Sequence, residues 1–395
     1  MKLLFLSRWY PYPPNNGSKL RIYHLLHGLA EKNEITLITF SDNPDTHKID
    51  DQLQKICNKV CIIPYREYRS QSIRSLIGIF SSMPRSLYDT YSPEMARKIS
   101  EVISEDDFDV VIASQIGTAM YHKSFSGIPA IFDEIEVGGF YSQAKNERST
   151  IGNFRRGRTW RKYHRYLGEI TKKFSVCTVV SEQERQILFT SINDLDHVEV
   201  IPNFVNLNDY SISIPKTSDL SIIFTGPFRY RANYQAILWF LQNIYPRVQE
   251  KFPDVTLTIT GDHVDLPLPT LSGVRLTGMV PDIRPLVTGS SISIAPIRYG
   301  GGTRLKILEA MALKTPVVST TKGAEGLEII DGEHIFLADQ PTNFANAILQ
   351  LFNEPETRTR IADNAYQLIR EKYDRQVVMP IFLDLVDRIR SSSRH

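Results

Sequence analysis

Apolar residues along the chain fall into short, nearly continuous runs, separated by stretches in which they recur every three or four positions. The first pattern marks strands buried on both faces, and the second marks helices with one apolar side. The runs predict strands at 2–7, 34–40, 60–63, 109–113, 130–133, 176–180 and 198–201 in the first half. In the second half they predict strands at 221–225, 256–260, 274–276, 291–295, 316–319 and 335–337. Helical spacing begins after Gly17 and Ser18, with Ser18 as the expected cap and Ile22, Leu26, Leu29 and Ala30 on one side. It returns over 155–173, after Ser181, and over 232–250, 304–313, 343–353 and 356–371. Strand and helix alternating throughout predict an α/β fold with parallel sheets covered on both faces.

Periodicity lapses over 202–219, where Asn, Ser, Pro and Lys collect. This divides the chain into a first domain at 1–203, a linker at 204–218 and a second domain at 219–374. The segment 375–395 is expected to form a helix packing back on the first domain. Two doubly wound, Rossmann-like domains in tandem make the crevice beyond the carboxyl ends of their strands the expected binding place.

Composition narrows the function. Hydrophobic residues make up 42% and charged residues 23%, which is globular. The 46 basic and 44 acidic groups nearly cancel, which gives nucleic-acid binding no support. Cys57, Cys61 and Cys177 have neither the number nor the spacing of a disulfide framework or zinc site, and are expected to be reduced. The N-terminus reads as a first strand rather than a leader, and no run approaches the roughly 18 apolar residues of a membrane span. A cytoplasmic protein is expected. One local charge bias stands out: Arg155, Arg156, Arg158, Arg161, Lys162, Arg165, Lys172 and Lys173, interleaved with Trp160, Tyr163 and Tyr166. That stretch suits an anionic membrane face or a lipid-diphosphate acceptor, and equally a solvated helix face.

The densest chemical signal is the stretch 294–320. A strand ends at Pro296, Gly300, Gly301 and Gly302 follow, and Thr303 can cap the next helix. Glycines let backbone amides approach a ligand, and a helix start favours phosphate. Arg304 and Lys306 add full positive charge there. The loop lacks the ending of a Walker motif. Glu309 lies in the apolar run Ile307-Leu308-Glu309-Ala310-Met311, where a carboxylate needs a partner. Ribose hydroxyls would serve, and so would an ion pair with Lys306 or Arg304.

Gly-Gly-Gly-Thr-Arg-Leu-Lys-Ile-Leu-Glu-Ala-Met-Ala-Leu-Lys-Thr-Pro-Val-Val-Ser-Thr at 300–320 resembles the donor-binding block of the retaining, GT-B-fold glycosyltransferases of family four, in particular the exopolysaccharide-type sugar transferases. The resemblance implies two Rossmann-like domains facing across a cleft. It also implies a nucleotide-diphosphate sugar as co-substrate, a glycan or lipid-linked acceptor, and neither cofactor nor metal. Glu309 matches the second glutamate of the family's Glu-x7-Glu motif and by that likeness holds the donor ribose; the first glutamate falls on Gly301. Gly17 and Ser18 match a loop reaching the donor diphosphate, with Lys19 or Arg21 near the acceptor. Gly226 matches the glycine after the first strand of the donor domain, with Arg229 or Arg231 available to phosphate and Asn233 as a helix cap. Met279 and Val280 match the loop touching the base, and Glu325 follows another strand end.

The histidine common in the first domain of relatives has no counterpart, since Ser114 and Gln115 follow that strand. The next strand end, Ile131-Phe-Asp-Glu-Ile-Glu136, collects three carboxylates, from which Asp133 and then Glu136 are the expected bases. Arg304 and Lys306 are expected to stabilise the leaving group. A GT-B epimerase or phosphorylase, or a binding subunit without turnover, are the competing readings.

Overall fold

The structure, a computed structural model, describes residues 1–41, 51–137, 150–192, 195–212, 218–301 and 305–392, and of 150–156 only the backbone. The chain forms two compact units, Met1–Pro202 with Met379–His395, and Asn203–Val378.

The first unit is built on β1 (Lys2–Ser7), β2 (Glu34–Ser41), β3 (Lys59–Pro64), β4 (Val110–Ser114), β5 (Ala130–Asp133), β6 (Val176–Val179) and β7 (Val198–Val200). They pair in parallel in the order β3-β2-β1-β4-β5-β6-β7. Leu3, Leu4, Phe5 and Leu6 are all inaccessible, because helices cover the sheet on both faces. The strand order reverses between β1 and β4, which puts the loops after those two strands at the mouth of a doubly wound sheet.

The second unit repeats the plan with β8 (Ser221–Thr225), β9 (Thr256–Thr260), β10 (Val274–Gly278), β11 (Ile292–Ala295), β12 (Val317–Ser319) and β13 (Phe336–Leu337), ordered β10-β9-β8-β11-β12-β13. Its reversal lies between β8 and β11. The glycine-containing loops after both strands therefore share one edge.

Several elements differ from the sequence reading for local reasons. The first helix, Gly17–Ala30, is capped by Asn16, whose side chain accepts from the Lys19 amide at 3.0 Å, and not by Ser18. The expected helix over 232–250 is two, Arg231–Asn243 and Tyr245–Lys251. Pro246 lacks an amide hydrogen and clashes with the carbonyl four residues back, so the first helix stops at Asn243 and a second begins at Tyr245 after Ile244. Part of the expected linker is built into the second unit. The Val205 amide donates to the Tyr373 carbonyl at 2.9 Å, and Tyr210 is buried at the end of a 3₁₀ turn, Leu207–Tyr210. Short helices at Asp51–Ile56, Ile73–Ile77, Arg85–Thr90 and Pro93–Glu105 were absent from the sequence reading.

Candidate functional site

At the reversal point of the second sheet, Lys306 and Glu309 are one turn apart on the helix Leu305–Ala312. Leu305, Ile307, Leu308, Ala310 and Met311 are buried, whereas Lys306 and Glu309 form a half-buried polar face. The Lys306 ammonium donates to the Thr225 carbonyl at the end of β8 and to Asn233 Oδ1 at 2.9 Å. It also stands 4.6 Å from the centre of the Phe224 ring. Asn233, itself buried, donates through Nδ2 to the Pro227 carbonyl at 3.0 Å and so organises the turn rather than capping its helix.

Gly226 explains why this turn needs glycine. Its φ of 136° is in the left-handed half of the map, and a Cβ there would lie 2.7 Å from Lys306 Nζ and 2.6 Å from Asn233 Nδ2. Gly226→Ala is expected to cost about 1–3 kcal/mol and to push Lys306 off β8. Thermal unfolding checks the first effect, and weakened binding of a nucleoside diphosphate checks the second.

Glu309 is not paired with Lys306 by a hydrogen bond; its Oε1 accepts from the Tyr210 hydroxyl at 3.1 Å. Burial pushes the Glu309 carboxyl up to about 7, against the lowering effects of the Tyr210 hydrogen bond and the charges of Lys306 and Arg284. Of the glycine loop, Gly300 (φ 100°) and Gly301 are both buried. Gly302, Thr303 and Arg304 lie outside the described residues. Gly278 ends β10 with φ 70°, and Met279 after it is exposed. Arg229 is exposed and paired with Asp262 at 2.6 Å, Arg231 is exposed at its helix start, and Glu325 is paired with Lys322.

At the reversal point of the first sheet lies a cavity of about 380 Å³. Trp9 and Ser18 line it beside Gln115, Glu134 and Glu136, with Tyr65, Tyr68 and Tyr163 among the aromatic walls. Gln115 ties the polar wall together. Its Nε2 donates to Glu134 Oε2 at 2.9 Å and to Ser18 Oγ at 3.1 Å, and its Oε1 accepts from Trp9 Nε1 at 3.2 Å. Both Gln115 (φ 65°) and Glu134 (φ 59°) are left-handed without being glycine, a strain of about 1–3 kcal/mol each that clusters at functional sites. Burial pushes the Glu134 carboxyl up to about 8, opposed by Arg21 and the Gln115 hydrogen bond and reinforced by the neighbouring Asp133 and Glu136.

Asp133 is elsewhere. As the last residue of β5 it turns into the core, where Arg21 NH2 donates to Oδ1 at 2.7 Å and Arg21 Nε to Oδ2 at 3.2 Å. Thr178 donates to Oδ1 at 2.7 Å as well, and both partners of the ion pair are completely buried. Arg21 continues to the carbonyls of Ile201 and Pro202. Asp133 and Arg21 are thus a structural pair, corrected here from candidate base and acceptor contact, because neither has a path to a ligand.

Two family models match the chain: one described as Glycosyltransferase Family 4 over residues 15–209, the other as Glycosyl transferases group 1 over residues 219–354. The chain belongs to the family 4 glycosyltransferases. A Klebsiella pneumoniae protein, described as an uncharacterized 44.6 kDa protein in the cps region, is 22% identical to this glycosyltransferase over 398 residues, covering 95% of this chain and 97% of the relative. The phosphatidyl-myo-inositol mannosyltransferase of Mycobacterium leprae is 28% identical over 211 residues, 50% of this chain and 55% of the relative. Among solved structures, Anabaena HepE in complex with UDP-glucose shares the fold with a TM-score of 0.69 at 15% identity, covering 98% of this chain and 100% of that one.

Of the residues expected to serve the glycosyltransferase site, the second unit brings Gly226, Lys306 and Glu309 together, and the first brings Ser18 and Glu136 to its cavity. Gly17 stands beside Ser18 in the first turn of the same helix. Tyr210 and Glu134 were missed. Tyr210 lies in a stretch without periodicity, whereas Glu134 was visible as the middle member of a three-carboxylate cluster. The aromatic residues of the basic stretch are also corrected. Tyr163 and Tyr166 are buried and Trp160 packs on the same core, so they do not face outward with the cations.

Proposed function

We propose that the chain transfers a hexosyl unit from a nucleoside-diphosphate sugar to a hydroxyl of a glycan or lipid-linked acceptor, with retention of configuration and without a metal ion or cofactor. In this reading the second unit holds the donor and the first receives the acceptor. The observation that carries it is the half-buried pair of Lys306 and Glu309 beside Gly226: a cation for phosphate and a carboxylate for ribose hydroxyls on one helix face. The mannosyltransferase among the relatives, with its phosphatidyl-inositol acceptor, supports a lipid-linked substrate. HepE, solved with UDP-glucose, supports a nucleotide-sugar donor. The relative in the cps region fits polysaccharide assembly.

The bond from the anomeric carbon to the phosphate oxygen breaks with its electron pair leaving on the diphosphate. Lys306 takes up that charge, with Arg304, Thr303 and the backbone of 300–302 assigned to the same task from sequence. Glu309 holds the ribose, and the backbone of Met279 and Val280 borders the base. Retention requires the acceptor oxygen to reach the anomeric carbon on the face from which the diphosphate leaves, and Glu134 accepts the proton of that hydroxyl as the new bond forms. Glu136, exposed at the same cavity, helps keep Glu134 basic by like-charge repulsion. Free cysteines at 57, 61 and 177 are consistent with a cytoplasmic setting.

The test is release of nucleoside diphosphate from a panel of nucleoside-diphosphate hexoses, with and without glycan and polyprenyl-phosphate acceptors, in EDTA. Acceptor-dependent release that EDTA leaves intact is expected. Sugar isomerised without acceptor would make the protein an epimerase, and saturable binding without any turnover would make it a binding subunit.

A further inference from the structure

The segment that walls one side of the first unit's cavity, through Tyr65, Tyr68, Leu87 and Thr90, also carries an exposed apolar tip. Ile73 is 76% exposed, Leu76 50%, Ile77 52%, Ile79 45% and Phe80 91%. Five such side chains within eight residues exceed the scattered apolar exposure of an ordinary surface. Their backbone is nonetheless pinned from behind. Ser72 caps the helix Ile73–Ile77 by accepting from the Ser75 amide at 2.9 Å and donates to the buried Asp89. Asp89 also accepts from the Arg69 amide at 2.9 Å. Arg85 Nε donates to the Ser75 carbonyl at 2.8 Å and to Ser75 Oγ at 2.6 Å. A fixed backbone with apolar side chains turned outward is a wedge, not a collapsed loop.

The wedge is joined to the basic helix Thr150–Thr171. Lys162 Nζ donates to the carbonyls of Gly78 at 2.7 Å and Ile79 at 3.2 Å. Arg158 and Arg165 are one turn either side of Lys162 and Arg161 is next to it; all three are exposed. Arg158 is close enough to depress the Lys162 ammonium, after the larger effect of burial. The side chains of Arg155 and Arg156 lie outside the described residues. Among the described residues no helix is long and apolar enough to cross a membrane.

We propose that the first unit docks on an anionic lipid bilayer, with the 73–80 wedge in the interface and the arginines of the adjoining helix on the headgroups. An apolar insert beside a cationic face matches the two attractions that hold a protein to such a surface, burial of apolar side chains and charge on anionic headgroups. A protein partner would need no such fringe of like charge. Docking stands independently of the transfer reaction and sharpens it. The segment bearing the wedge also lines the cavity, so a lipid-linked acceptor would be presented beside Glu134.

Co-sedimentation of the full chain with phosphatidylcholine vesicles containing about a third phosphatidylglycerol tests this without donor or acceptor. The wild type is expected to sediment with anionic vesicles and weakly with neutral ones. Ile73→Ser with Phe80→Ser should lower partitioning about tenfold or more, and Arg158→Glu with Arg161→Glu should abolish the preference for anionic lipid. All four side chains are exposed, so the unfolding temperature of each variant should match the wild type. Failure of the wild type to bind vesicles, or unchanged binding by the folded wedge variant, overturns the proposal. A wild-type dimer that the wedge variant converts to monomer, with vesicle binding unchanged, would instead make this face a contact between copies.

Discussion

Glu309→Gln is expected to cut to a small fraction the thermal shift that a nucleoside diphosphate or its sugar produces, while leaving the unliganded protein at least as stable as wild type at pH 8. The two halves of this result have one cause. Glu309 is held near neutral pKa by burial, with Tyr210 donating to Oε1. Between roughly pH 4.5 and 7 the folded state binds more protons at this position than the unfolded state, so stability falls as pH rises through that window. Below the window the cost is absent. Above it the cost is complete, about 1–3 kcal/mol for a half-buried carboxyl. Glutamine keeps an acceptor for Tyr210 and removes the charge, so the apo protein gains at pH 8 and not at pH 4.

What glutamine loses is charge-assisted bonding to ribose. Two such bonds are worth about 3 kcal/mol or more, roughly a hundredfold in dissociation constant. Ligand at 100 times the wild-type constant stabilises by about 2.7 kcal/mol, and the same concentration would stabilise the variant by only about 0.4 kcal/mol. A residue that mattered only for folding would not separate the two readouts.

Glu134→Gln is expected to lower the turnover rate by about 10²- to 10⁴-fold and to leave nucleotide binding unchanged. The wild-type rate should rise with pH and level off above about 8, because Glu134 is pushed to about 8 chiefly by burial and must lose its proton to act as base. The glutamine variant should have no such limb. Gln115→Ala provides the control. Loss of the Nε2 donor to Oε2 removes an interaction that favours the charged carboxylate, so the limb should move to higher pH. A profile that keeps its wild-type limb in Glu134→Gln would take the proton transfer away from this residue. Because the folded carboxyl titrates above its unfolded value, Glu134 too costs stability as pH rises from about 4.5 to 8, and its glutamine variant should be the more stable at pH 9.

The strands were legible because a parallel strand covered on both faces must be apolar at nearly every position, as Leu3–Leu4–Phe5–Leu6 is. Lys306 and Glu309 were legible for a related reason: two charges interrupting an apolar helix one turn apart are a local signal. What escaped depended on contacts far along the chain. The hydrogen bond that seats Glu309 comes from Tyr210, 99 positions earlier, in a stretch whose composition resembled a linker. The choice between Asp133 and Glu134 is made by Arg21, 112 positions earlier, and by where β5 stops. Within the strand a carboxylate alternates inward to the arginine, and one residue later a left-handed turn swings the next into the cavity. Adjacent acids carry no mark of that difference. The basic helix shows the same limit, since its aromatic residues turned out to face the core and the apolar surface came from 73–80.

A crystal structure of the protein with a bound nucleoside-diphosphate sugar tests the central claim most directly. The diphosphate should lie against Lys306 and the turn at Gly226, with the ribose hydroxyls on Glu309. A nucleotide bound at any other place, or those groups still closed on Thr225, Asn233 and Tyr210 at saturating ligand, would contradict it.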